Sequence, residues 1–196
     1  MYIAHRVNSS TFANILPINY GIEFDLRDSI NNIMVTHDAF TNGEDFDHFL
    51  SNLSVKRFLI VNIKCEGIEE RVLQLLSEHG FNDFFLLDCS FPSIIKLNKR
   101  EEKRIAMRFS EFEPIENIII NKDKIQWVWV DCFKNFPLTK AIESKIHAIG
   151  LKICIVSPEL QDHGLDIEKY SKYIKDNKIL IDAICTKEFN IERWSK

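Results

Sequence analysis

The chain has 196 residues, 45% of them hydrophobic and 28% charged, enough to bury a full core as one domain over residues 1–196. Its formal charge of -4, with no dominant Lys/Arg block, argues against binding a nucleic-acid polymer or an anionic membrane surface. Apolar runs such as Ile118–Ile120, Trp127–Val130 and Phe84–Leu87 are far too short to span a bilayer.

The N-terminus opens on a strand-like run, with neither the basic region nor the apolar core of a secretory signal. The five cysteines are odd in number and lack the close spacing of a zinc or redox motif. Core thiols in a reducing, cytoplasmic setting are therefore expected.

The first predicted strand, 2–5, ends on His5, with Arg6 just beyond it. A lone imidazole there suits a core position, whereas a neighbouring Arg suits a phosphate or carboxylate held at the strand end. Residues 9–18 leave room for no more than a helical turn or two. In the second strand, 21–26, Glu23 and Asp25 stand two apart and so share a face, alternating with Ile22, Phe24 and Leu26. Two carboxylates this close repel, and an oxygen-ligated Mg²⁺ or Ca²⁺ between them would relieve the repulsion. The alternative is a salt-bridged pair using Arg6, Arg27 or Lys64. A turn at Asn31–Asn32 and a strand-like 33–36 lead to His37-Asp38, where a carboxylate can orient an imidazole for proton transfer near neutral pH.

Segment 44–53 carries a weak helical stripe of Phe46, Phe49, Leu50 and Leu53. The third strand, 57–63, brings Asn62 to its end, followed by Lys64. In 67–79, Ile68, Val72, Leu75, Leu76 and His79 share a helical face that Gly80 terminates. The fourth strand, 83–89, leads past Asp88 into a short helix over 91–100 whose end is basic. The fifth, 104–109, ends at Arg108 and Ser110, and 112–121 reads as irregular. In the sixth, 125–132, Trp127 and Trp129 share a face, either packed in the core or lining a substrate. Helix 137–149 has Pro137 in its first turn and Gly150 at its close. The seventh strand, 152–157, is followed by Glu159, and Asp166 is the expected N-cap of a helix over 166–175. The eighth strand, 181–185, precedes Thr186-Lys187. Arg108, Glu159 and Trp129 are possible substrate contacts, with structural ion pairs or core packing as the alternatives. His48, His79, His147 and His163 lack comparable company and read as surface or helix residues.

Eight strands alternating with helices predict the α/β class, as a compact (β/α)₈ TIM barrel, with a doubly wound open sheet as the competing topology. The ordered words His5-Arg6, Glu23-Phe24-Asp25, His37-Asp38 and Asn62-Ile63-Lys64 resemble the glycerophosphodiester phosphodiesterase family, within the superfamily that includes phosphatidylinositol-specific phospholipase C. The likeness is strongest over residues 2–64, with an echo at Asp88-Cys89-Ser90-Phe91. It implies that His5 and His37 are the catalytic acid–base pair, that Arg6 and Lys64 bind phosphate, and that Glu23, Asp25 and the residue at Asn62 hold a divalent cation (Mg²⁺ or Ca²⁺). The implied activity is hydrolysis of a small soluble phosphodiester, glycerophosphodiester-like or a nucleotide-linked polyol or sugar.

The chain also departs from that family. Val7 replaces a Gly, the acidic first-loop segment is reduced to Asn8-Ser9-Ser10-Thr11, Asn62 replaces a Glu, and the insertion after His-Asp is missing. The wording at Val156–Leu160 and Asp182–Lys187 is similar to members in bacterial surface-polysaccharide metabolism. The departures motivate an alternative: a catalytically inactive barrel serving as a phosphate-ligand or protein-binding module.

Overall fold

A computed structural model describes residues 1–30, 32–162 and 164–195, so Asn31 of the expected turn and His163 lie outside the described residues. Strand β1 (Tyr2–Ala4) groups with Ala106–Lys196 in one compact unit, and His5–Ile105 forms a second. Each is taken by itself.

The His5–Ile105 unit is built on strand β2 (Gly21–Asp28), after the short helix α1 (Ser10–Ile15). Alternation along β2 sends Ile22, Phe24 and Leu26 into a fully buried apolar layer. There Phe24 lies 4.9 Å from Phe49 and 5.8 Å from Phe46, ring centroid to ring centroid. Those two rings come from α2 (Phe46–Asn52), preceded by β3 (Ile33–Val35) and the two-residue β4 (Glu44–Asp45). Expected from residue 44, the helix starts at Phe46 because Asp45 turns extended and caps it, accepting from the His48 backbone N–H at 3.1 Å.

Strand β3 runs antiparallel to β2, and β5 (Leu59–Ile63) runs parallel to it, with Asp25 opposite Asn62. Helix α3 (Glu69–Glu78) then leads to β6 (Phe84–Leu87), parallel to β5, and on to α4 (Phe91–Asn98). Gly80 follows α3 with φ 69°, the left-handed conformation that terminates a helix cheaply only at glycine.

The other unit contains β7 (Ala106–Phe109), α5 (Ile115–Ile120), β8 (Trp127–Val130), α6 (Lys140–Ala148), β9 (Lys152–Val156), α7 (Ile167–Asp176), β10 (Ala183–Thr186) and α8 (Ile191–Ser195). Its strands are all parallel, in the order β1-β10-β9-β8-β7. They read as unbroken apolar runs because both faces are covered: Val128, Ile153, Cys154, Ile155 and Cys185 are fully buried. Four local expectations change. Segment 112–121 is not wholly irregular, since Pro114 sits extended at the N-cap of α5 and Ile118 anchors it in the core. Helix α6 begins beyond Pro137, where Thr139 Oγ1 accepts from the Ile142 N–H at 3.3 Å. Asp166 occupies the N-cap of α7 but makes no side-chain cap, accepting instead from Lys169 Nζ at 3.3 Å. Helix α8, too short to show a stripe, was not expected. It is held by buried Trp194, whose Nε1 donates to Ser157 Oγ at 2.7 Å.

None of the five cysteines is in a disulfide. Burial pushes Cys65 up to about 11 and Cys132 up to about 12, and it raises Cys89 and Cys154 as well, so they are poor nucleophiles near neutral pH. Among the described residues, no helix is long and apolar enough to cross a membrane.

Candidate active site

The polar face of β2 carries Glu23, fully buried, and Asp25, 1% exposed. The chain leaving His5 turns sharply at Arg6, whose φ of 57° is left-handed for a non-glycine residue. That turn aims the Arg6 backbone N–H at Glu23 Oε2, at 2.7 Å, and leaves His5 Nε2 3.7 Å from the same oxygen. The Arg6 side chain returns toward the other acid, with Nε 3.9 Å from Asp25 Oδ2. Asn8 holds Asp25 at two points: its Nδ2 donates to Oδ2 at 3.0 Å, and its Oδ1 accepts from the Asp25 N–H at 2.9 Å.

Strand β5 closes the cluster. Asn62 Nδ2 donates to Glu23 Oε1 at 2.9 Å, while the buried Asn62 Oδ1 has no hydrogen-bond partner among the described residues. Lys64 Nζ lies 3.5 Å from Asp25 Oδ1 and donates to Asp88 Oδ2 at 3.3 Å. His5, Arg6, Glu23, Asp25, Asn62 and Lys64 thus come together as a connected group.

His37 joins through its own carbonyl, which accepts from Arg27 Nε at 2.7 Å; Arg27 Nη1 in turn donates to the Lys64 carbonyl at 3.0 Å. Its ring Nδ1 lies 2.7 Å from Asp38 Oδ1, so in the neutral ring Nδ1 carries the proton and Nε2 is left to exchange protons. The hydrogen bond and charge of His37, helped by Arg6 and Arg27, hold the Asp38 carboxyl below its usual range. Glu23 goes the other way. Burial first, and then the Asp25 charge, push it up to about 7 against the opposing effects of Asn62, the Arg6 N–H and Lys64.

The donors suit a hard cation in kind: two buried carboxylates and a buried amide oxygen with nothing bonded to it. The third donor is neutral, and among the described residues no three His, Cys, Asp or Glu side chains group as a metal site. From the sequence, Asn8 reads as a partial substitute in a thin loop and Arg27 as one option for a salt bridge. The structure gives Asn8 the buried acid and Arg27 two main-chain carbonyls.

The remaining candidates lie in the other unit. Arg108 Nη1 donates to the buried Asp131, which also accepts from Gln161 Nε2 at 3.2 Å. Glu159 accepts from the Ser157 and Thr186 hydroxyls and from the Lys187 N–H at 3.0 Å. Trp129 is 4% exposed, within the core of β8. Of the other histidines, His79 Nε2 meets Asp47 at 2.5 Å, and His147 bridges Glu143 at 2.7 Å and Asp182 at 3.0 Å.

No family model and no curated protein matches the sequence. Solved structures do match its fold. A phosphodiesterase from Oleispira antarctica, in complex with the product sn-glycerol-3-phosphate, aligns with a TM-score of 0.73 at 13% identity, over 100% of this chain and 96% of that one. The chain has the glycerophosphodiester phosphodiesterase fold. A glycerophosphodiester phosphodiesterase from Agrobacterium tumefaciens gives a TM-score of 0.68 at 15% identity, covering 95% of this chain and 96% of that one. A glycerophosphoryl diester phosphodiesterase from Parabacteroides distasonis gives 0.62 at 14%, covering 99% and 85%. The glycerophosphodiester phosphodiesterase fold is an α/β TIM barrel, the class the strand–helix rhythm predicts. His5, Lys64 and Asp88 follow the C-terminal ends of the parallel strands β1, β5 and β6, whereas His37 lies past the antiparallel β3.

Proposed function

We propose that the protein hydrolyses a small, polar phosphodiester, glycerophosphodiester-like or a nucleotide-linked polyol or sugar, with His5 and His37 as its acid–base pair. The observation that carries this reading is the convergence of His5, Arg6 and Lys64 on the buried Glu23/Asp25 pair, with Arg27 tying His37 to Lys64. A phosphodiester anion repels nucleophiles and its departing alkoxide is a poor leaving group, so its cleavage needs cations on the phosphate oxygens and a proton for that alkoxide.

Arg6 and Lys64 are the phosphate-binding cations. One imidazole takes a proton from the attacking water as the new P–O bond forms; the other gives a proton to the departing oxygen as the old bond breaks. The products are a phosphomonoester and an alcohol. Asp38 keeps the His37 ring in a single tautomer throughout. Glu23, Asp25 and Asn62 would hold the Mg²⁺ or Ca²⁺ that, when bound, supplies further positive charge against the phosphate oxygens. A substrate from surface-polysaccharide metabolism fits the small polar class.

The test is turnover of bis(p-nitrophenyl) phosphate and a panel of glycerophosphodiesters and nucleotide-diphosphate polyols, with Mg²⁺, Ca²⁺ or Mn²⁺ added. Hydrolysis lost in both His5→Ala and His37→Ala supports the reading. An inert wild type across the panel, with no divalent ion bound in calorimetry, rejects it.

A further inference from the structure

We infer that Arg27 is a positioning residue that fixes the distance between His37 and Lys64; the inference rests on the phosphodiesterase reading above. Period-two alternation puts Arg27 on the face of β2 that carries Glu23 and Asp25. It is half-buried at the end of the strand, where a guanidinium beside two carboxylates would ordinarily be read as their counter-ion. Its hydrogen bonds go elsewhere: Nε to the His37 carbonyl at 2.7 Å and Nη1 to the Lys64 carbonyl at 3.0 Å.

Those carbonyls lie just past β3 and β5, the strands flanking β2 on its two sides. The main chain of β2 already holds the residues at these exits, since Asp25 O accepts from the Thr36 N–H and Leu26 O from the Lys64 N–H, both at 2.9 Å. Arg27 adds a bond to the carbonyl after each functional Cα, so the backbone is held both before and after the side chains of His37 and Lys64. One rigid planar fork bonded to both carbonyls makes the separation of the His37 and Lys64 exits a property of a single side chain. A lysine keeps the charge but has no fork, so it cannot hold both carbonyls with that geometry. Arg27 touches no reacting atom on this account: its fork acts through His37 and Lys64, and its charge acts on Asp38.

The experiment compares Arg27→Met and Arg27→Lys with wild type in the full chain. It measures kcat and KM on bis(p-nitrophenyl) phosphate, and the His37 ring resonance by histidine-selective NMR, assigned with His37→Gln. Displacement by about 1 Å costs on the order of 100-fold, so Arg27→Met is expected to lower kcat roughly 10- to 100-fold with a smaller change in KM. Its His37 resonance should shift or broaden, and Arg27→Lys should recover only part of the rate. Full recovery by lysine would show that charge alone matters and would overturn the inference. So would wild-type kcat and an unmoved His37 resonance in a folded Arg27→Met. If the methionine variant does not fold, Arg27→Lys decides by the same two readouts. A wild type that hydrolyses no diester ends the phosphodiesterase reading, and the His37 resonance then decides the positioning role alone.

Discussion

Glu23→Gln makes a sharp test of the buried pair, because its effect on stability should change sign with pH. The Glu23 carboxyl titrates at about 7 in the folded chain against 4.5 for an unperturbed one. Below pH 4.5 it is protonated in both states; above pH 7 it is ionised in both. In between, the folded chain holds a proton that the unfolded chain has released, so this group's contribution to stability falls as pH rises from 4.5 to 7. At about 1.4 kcal/mol per pH unit, the deficit above pH 7 is about 3 kcal/mol. Glutamine removes that deficit. It keeps one acceptor for Asn62 Nδ2 but sets an amide NH₂ against the Arg6 N–H, which loses its acceptor at a cost of about 1–2 kcal/mol. Urea denaturation with chelator present should therefore find Glu23→Gln about 1–2 kcal/mol more stable than wild type at pH 8 and less stable, by about 1 kcal/mol or less, at pH 5. Equal destabilisation at both values would refute the reasoning, since it would mean that Lys64 and Arg6 keep Glu23 ionised at an ordinary pKa.

Asp38→Asn should lower kcat by roughly 10²-fold or more, with little change in KM, because the His37 ring loses the partner that fixes its tautomer; steady-state kinetics on the best diester checks it. Lys64→Ala removes a cation shared by Asp25 and Asp88 and proposed to bind phosphate, so KM for a phosphodiester should rise about tenfold or more, matching the loss of a charge-assisted hydrogen bond. Phe24→Ala empties a fully buried ring site and should cost about 3–5 kcal/mol by denaturant unfolding, with a cost below about 1 kcal/mol contradicting the packing described. A disulfide reagent at pH 7.5 should leave the thiols largely unmodified until denaturant is added, because burial raises Cys65 to about 11 and Cys132 to about 12.

The Glu23/Asp25 pair was legible because period two is rigid: two residues apart on a strand is one face, whatever the tertiary setting. His5 and His37 were legible as strand-end groups, since the strand before each is strongly apolar. Arg27 was not, although it is the next residue in the same row. Its acceptors are main-chain carbonyls, and a carbonyl carries no residue identity that spacing could reveal. Asn8 was underrated for a related reason: its two bonds to Asp25 follow from the left-handed turn at Arg6, a conformation unusual for arginine and unmarked by any glycine. Helices α5 and α8, of six and five residues, are too short for a hydrophobic stripe to declare itself, and one buried residue on each, Ile118 and Trp194, does the anchoring. The start of α6 was misplaced because Pro137 tolerates a first helical turn but does not require one, whereas Thr139 offers a cap oxygen.

The precision of the site follows from how much of it hangs on β2. Three of its carbonyls each hold a segment bearing a functional group: Glu23 O accepts from the Val7 N–H at 2.7 Å, Asp25 O from Thr36 at 2.9 Å, and Leu26 O from Lys64 at 2.9 Å. Val7 follows Arg6 and Thr36 precedes His37, so each proposed catalytic or phosphate-binding group lies within two residues of a bond to this strand. The side chains on one face of β2 add the Glu23, Asp25 and Arg27 contacts, and those on the other face are locked into the Phe46/Phe49 layer. Interiors packed to crystal-like density pass small shifts on rather than absorbing them. A core substitution at Phe24 that leaves the chain folded should therefore disturb His5, His37 and Lys64 together.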